Sequence, residues 1–147
     1  MGLSGLAPGD WVTLNARSAP DTECLVSAEG EVRTFTEVDG RVTRLVRALR
    51  TLGVGRGDRV AIMATDSCDY VEVVLACMKL GATYVALNFR LAPAEVRTVL
   101  SASQAKGVFL SGRYEEAIAG CFPEAAAHVR ARITFDTSAD GLPSYEE

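Results

Sequence analysis

The sequence predicts an α/β fold: a mostly parallel, layered sheet built from βαβ crossovers, with a β-hairpin near its N-terminus. Three observations predict it. Uninterrupted apolar runs of strand length at residues 60–64, 83–87 and 107–110 read as strands covered on both faces. Helical periodicities of about ten or more residues separate them, the length a parallel crossover requires. Two earlier runs flank Glu29-Gly30, which is hairpin spacing. At 147 residues the chain suits one domain.

Taken in chain order, residues 10–17 suit a short helix capped by Gly9 or Asp10, with Trp11, Val12 and Leu14 expected to face inward and Pro20 ending it. Residues 23–28 and 31–35 are the hairpin strands. Thr36 is expected to cap the next helix. In that helix Val38, Val42, Leu45, Val46, Leu49 and Leu52 recur at helical spacing until Gly53 stops it. Residues 60–64 form the first buried strand. Asp66 and Ser67 offer caps to a helix over 70–80 that is apolar around most of its circumference and closed by Gly81. After the strand at 83–87, Pro93 opens a helix carrying Val96, Val99 and Leu100. Strands are expected at 107–110 and 132–135, with weaker helical signals over 114–129 that Pro123 interrupts. Ser144-Tyr145-Glu146-Glu147 has the spacing of a capping box, which announces a helix. Residues 1–147 are therefore expected to be a single subdomain, with 137–147 a truncated tail.

Composition narrows the function. The formal net charge of −4 argues against a nucleic-acid partner, because phosphate affinity needs a basic footprint. A single histidine, His128, and four scattered cysteines exclude most zinc sites. Cys68 and Cys77 fall on opposite faces of one expected helix, roughly 13–14 Å apart along its axis, beyond disulfide reach. Cys24 and Cys121 have no evident partner. Free, buried thiols point to a reducing, cytoplasmic setting. The longest apolar stretch, 73–87, is interrupted by Lys79 and Gly81, so no membrane span is expected. Residues 1–8 have neither the charged start nor the apolar centre of a signal peptide.

Several residue groups invite a functional reading. Gly53-Val-Gly-Arg-Gly57 looks superficially like a dinucleotide fingerprint, but it closes a helix and precedes a strand, the reverse of what pyrophosphate binding requires. Asp66, Ser67 and Asp69 could pair carboxylates for acid–base or Mg²⁺ work, although capping and first-turn placement account for them. Arg41, Arg44, Arg47 and Arg50 recur every three residues, either as a solvated helix face or as a docking surface for an anionic headgroup or protein. Asn88-Phe89-Arg90 follows a buried strand, at the carboxyl end where open α/β sheets hold ligands.

Two stretches carry a resemblance. Arg33-Thr-Phe-Thr-Glu-Val-Asp39 with its following helix and Gly53-Val-Gly-Arg-Gly-Asp-Arg-Val-Ala61, and then Met78-Lys-Leu-Gly-Ala-Thr-Tyr-Val-Ala-Leu-Asn-Phe-Arg-Leu91, resemble the N-terminal portion of the adenylate-forming acyl-CoA synthetases, most of all the fatty-acid ligases. The resemblance implies an ATP-dependent enzyme with CoA and Mg²⁺ as partners. It would turn a fatty or other carboxylic acid into an acyl-adenylate and then a CoA thioester. It implies that Asn88, Phe89 and Arg90, with Arg97 as a weaker companion, lie near the CoA nucleotide. The family's Ser/Thr/Gly-rich phosphate loop ending in Pro-Lys-Gly does not occur here, nor does its Tyr-x-Thr-Gly-Asp segment, and the only lysines are Lys79 and Lys106. No catalytic residue is therefore expected in this chain, and no cofactor is expected to be bound to it alone. The rival reading is a stand-alone, non-catalytic α/β binding module. Apolar surface left uncovered is expected to favour a homodimer.

Overall fold

The computed structural model describes residues 9–115, 119–120, 127–135 and 145. β1 (Glu23–Val26) and β2 (Val32–Thr34) pair antiparallel. Between them Gly30 takes φ +88°, a left-handed conformation that costs glycine nothing. The Ser27 hydroxyl accepts from the Glu29 and Glu31 amides at 3.2 Å and fixes the turn. The second sheet is wholly parallel. Its spatial order is β4 (Thr83–Ala86), β3 (Arg59–Met63), β5 (Gly107–Leu110), β6 (Ala131–Thr134). The expected architecture is present.

The pleat of β3 and β5 divides the core in two. Val60, Ile62, Phe109 and Ile133 face a layer formed by α1 (Asp10–Ser18), α2 (Phe35–Thr51) and α3 (Cys68–Leu80). Ala61, Met63, Val108 and Leu110 face α4 (Pro93–Ser103), meeting Val96 and Leu100. Each large aliphatic or aromatic side chain buried this way contributes about 1.5–3 kcal/mol. Arg59 ties the sheet to α4: its guanidinium donates to the Ser103 and Gln104 carbonyls at 2.7 and 3.2 Å, satisfying groups the helix end leaves open.

Local chemistry sets the helix limits, and here the sequence reading needs correction. Thr34, not Thr36, caps α2. Its hydroxyl accepts from the Glu37 amide at 3.4 Å while the Glu37 carboxylate accepts from the Thr34 amide at 2.8 Å. The acid three residues after Thr36 is Asp39, which is instead engaged with Lys79 and Thr13. Ser67 caps α3 as expected, accepting from the Tyr70 amide at 3.1 Å, but the helix starts at Cys68 rather than Tyr70. Gly81 ends it at φ +75°. At α4, Ala92 offers no side-chain acceptor, so only the Glu95 half of a capping box forms, through the Ala92 amide at 2.8 Å.

Three inward expectations fail. Trp11 and Leu14 are 41% and 43% exposed, and only Val12 of α1 is buried. The helix is held on a narrow side: a Cβ on Gly9 would stand 2.6 Å from the Lys79 backbone nitrogen, so glycine is needed for space rather than for its φ of −82°. Leu52 lies past the last buried position, Leu49, and is 37% exposed. Among the described residues β4 is an edge strand, with no further strand on its outer side, and Tyr84 is 45% exposed. Apolar composition alone does not separate an edge strand from a central one. Most of the helical signal over 114–129 and the Ser144 capping box fall outside the described residues, Tyr145 apart.

Candidate functional site

The sheet's carboxyl rim is where its topology opens. The chain leaves β3 toward α3 on one face. It leaves β5 through a 3-10 turn (Gly112–Tyr114), whose Tyr114 packs against the α4 cluster on the other face. Successive loops thus depart to opposite sides between β3 and β5, which is where such sheets hold ligands.

The loops after β4 and β5 meet over this rim. Phe89 stacks on Tyr114, with ring centroids 5.7 Å apart and planes inclined at 23°. The Arg90 guanidinium lies 5.5 Å from the Phe89 centroid, and that of Arg113 lies 5.9 Å from the Tyr114 centroid. The loop is shaped by Asn88, whose side-chain oxygen accepts from the Arg90 amide at 2.9 Å, an Asx-type turn. The result is a pair of arenes bracketed by two cations. Such a surface can stack a planar base and pair with phosphate.

The structure thus joins Phe89 and Arg90 to Tyr114 and Arg113, two residues the sequence reading did not single out. Their signal was an aromatic and an arginine directly after a buried strand. Arg97 stands exposed on α4, outside the stack. His128 is exposed. No group of three or more His, Cys, Asp or Glu among the described residues is arranged to hold a metal.

Asp69 is more than a simple first-turn acid. Its Oδ1 accepts from Arg33 at 2.7 Å and from Arg41 at 3.3 Å. Behind it lies Glu72, fully buried, which pairs with Arg33 at 2.8 Å and Arg41 at 2.7 Å and accepts from the Tyr145 hydroxyl. Arg41 therefore leaves the solvated stripe expected of it, while Arg44, Arg47 and Arg50 are exposed. Burial works against the Arg33 charge, yet hydrogen bonds to Glu72, Asp69 and Glu31 outweigh it and raise its pKa. Burial, and then the Glu72 charge, push the Tyr145 hydroxyl well above its ordinary range.

Both lysines are engaged. Lys79 donates to Thr13, Asp39 and Thr43 at 2.8, 2.9 and 3.0 Å, and Lys106 pairs with Asp58 at 2.8 Å. Burial works against the Asp39 carboxylate, but bonds from Thr13 and Lys79 outweigh it and hold its pKa below the usual range. That of Asp58 is lowered chiefly by Lys106. The folded state therefore binds fewer protons than the unfolded one. This stability is present above about pH 4, the unfolded carboxylate value, and is lost as pH falls through the lower folded values. The urea midpoint should drop between about pH 6 and about pH 3. An unchanged midpoint would contradict the assignment.

Comparison with known proteins agrees with this fold. A family model described as AMP-binding enzyme matches residues 12–146. The feruloyl-CoA synthase of Amycolatopsis sp is 36% identical over 111 residues, covering 76% of this chain and 22% of that protein. The 3-hydroxybenzoate–CoA ligase of Aromatoleum sp. (strain CIB) is 36% identical over 99 residues, covering 67% of this chain and 19% of that protein. Among solved structures, the Mycobacterium tuberculosis fatty acyl CoA synthetase superposes with a TM-score of 0.79 at 26% identity, covering 87% of this chain and 26% of that one. The chain spans about a fifth of the length of these curated relatives.

Proposed function

Because this chain belongs to the AMP-binding enzyme family, we propose that it is the N-terminal subdomain of an ATP-dependent carboxylate–CoA ligase. Such an enzyme activates an acid as its adenylate and transfers the acyl group to the CoA thiol. The subdomain supplies the wall against which the CoA nucleotide lies, with Phe89 and Tyr114 facing its base and Arg90 and Arg113 its phosphates. The observation that carries this reading is the stacked, doubly cationic rim, joined to the family match over residues 12–146.

The described residues do not fit a Mg²⁺ site, and the family's Pro-Lys-Gly phosphate loop does not occur in this sequence. No metal-holding cluster is present among them, and neither lysine is free. Adenylation is accordingly assigned to polypeptide beyond this subdomain. The acid is fatty or aromatic; the names of the relatives include both kinds. The free thiols of Cys24, Cys68 and Cys77 support a reducing, cytoplasmic setting, and burial pushes the Cys77 pKa up to about 12. Uncovered apolar side chains at Val71 and Tyr84 support the homodimer expected from the sequence.

ATP–pyrophosphate exchange tests the division of labour. The purified chain should give no exchange above background with fatty or aromatic acids. Sustained exchange by the chain alone would overturn the proposal.

A further inference from the structure

Beyond its first turn, where Glu37 is exposed, the outer side of α2 is basic. From Gly40 to Gly57 the chain carries five arginines and no acid, although its net charge is −4. Arg41 is drawn inward to Glu72, whereas Arg44, Arg47 and Arg50 are exposed and make no ion pair among the described residues. They are spread over about 9 Å of helix rather than converging on one point. α1, which meets the first two turns of α2, exposes Trp11 and Leu14, one turn apart, and then Arg17. The two helices adjoin. Trp11 packs edge-on against Phe35 at 6.0 Å, and Thr13 bonds Asp39.

We propose that this face docks peripherally on an anionic lipid bilayer, with Trp11 and Leu14 in the headgroup zone and Arg17, Arg44, Arg47 and Arg50 on lipid phosphates. A half-exposed indole and leucine among exposed guanidinium groups are the pattern of a helix lying in an interface. A row of separated cations matches a sheet of phosphates better than a single anionic ligand. No described helix is long and apolar enough to cross a membrane, so the chain would lie on the bilayer. None of these residues belongs to the Phe89–Tyr114 rim.

Trp11 is the only tryptophan in the chain, so its emission reports directly on this face. The purified chain is mixed with phosphatidylcholine vesicles, or with vesicles of equal parts phosphatidylcholine and phosphatidylserine, and sedimented. Co-sedimentation and a blue shift of Trp11 emission are expected only with phosphatidylserine, and both should vanish at high salt. Replacing Arg44, Arg47 and Arg50 together by Gln should weaken binding about fivefold per arginine, roughly a hundredfold in all. These side chains are exposed, so the variant's circular dichroism should match the parent's. No phosphatidylserine-dependent binding, binding without a blue shift, or binding untouched by the triple substitution overturns the proposal. Capture by polyglutamate without capture by vesicles also overturns it, in favour of an acidic protein partner.

Discussion

Replacing Glu72 by alanine should cost about 3–5 kcal/mol, the penalty for removing one partner of a buried ion pair. Glu72 is fully buried, and its two oxygens meet Arg33 and Arg41 at 2.8 and 2.7 Å. Without it, two guanidinium groups from β2 and α2 face one another with only Asp69 between them. The Tyr145 hydroxyl also loses its acceptor. Marginal domain stability is about 5–15 kcal/mol, so a sizeable share of it is at stake in this one side chain. Tyr145→Phe is the graded control. It removes one hydrogen bond to a charged group, worth about 1.5–3 kcal/mol, and leaves both ion pairs. Urea denaturation measures both. A loss below about 1 kcal/mol for Glu72→Ala would mean the network contributes little beyond solvated pairs.

Phe109→Ala should cost a similar amount, about 3–5 kcal/mol. Phe109 is fully buried on a central strand, with Phe135 and Tyr145 at centroid distances of 5.8 and 6.5 Å. Truncation leaves a cavity that the flanking strands cannot close, since β5 is hydrogen-bonded on both sides. It also loosens the ring beneath Arg41, whose guanidinium lies 5.2 Å from the Tyr145 centroid. Phe109→Ala and Tyr145→Phe should therefore be non-additive by about 0.5 kcal/mol or more. Strict additivity in a double-mutant cycle would show that Tyr145 does not depend on Phe109 for its position.

The fold was more legible in the sequence than the site. Strand 107–110 and the stop at Gly81 follow from local rules, apolar run length and a left-handed glycine, and local rules do not depend on which elements later meet. Trp11 and Leu14 were misjudged because periodicity identifies a helix's apolar stripe but not how much of it neighbours cover. Glu72 is the sharper case. An acid on a helix that also carries Asp69 and Lys79 reads as solvent-facing until its partners are known, and those partners, Arg33 and Arg41, sit far back in the chain on β2 and α2. The rim was half legible: Asn88, Phe89 and Arg90 are contiguous, whereas Tyr114 and Arg113 reach them only because β4 and β5 both flank β3.

If the carboxyl rim of this sheet receives the CoA nucleotide, CoA should perturb the rim residues before any others. Titrating CoA into the isotopically labelled chain and following backbone amide resonances tests this most directly. Saturable shifts are expected at Asn88, Phe89, Arg90, Arg113 and Tyr114, and Arg90→Ala should weaken them. Saturable shifts elsewhere with those five unmoved, or no saturable shift at all, would contradict it.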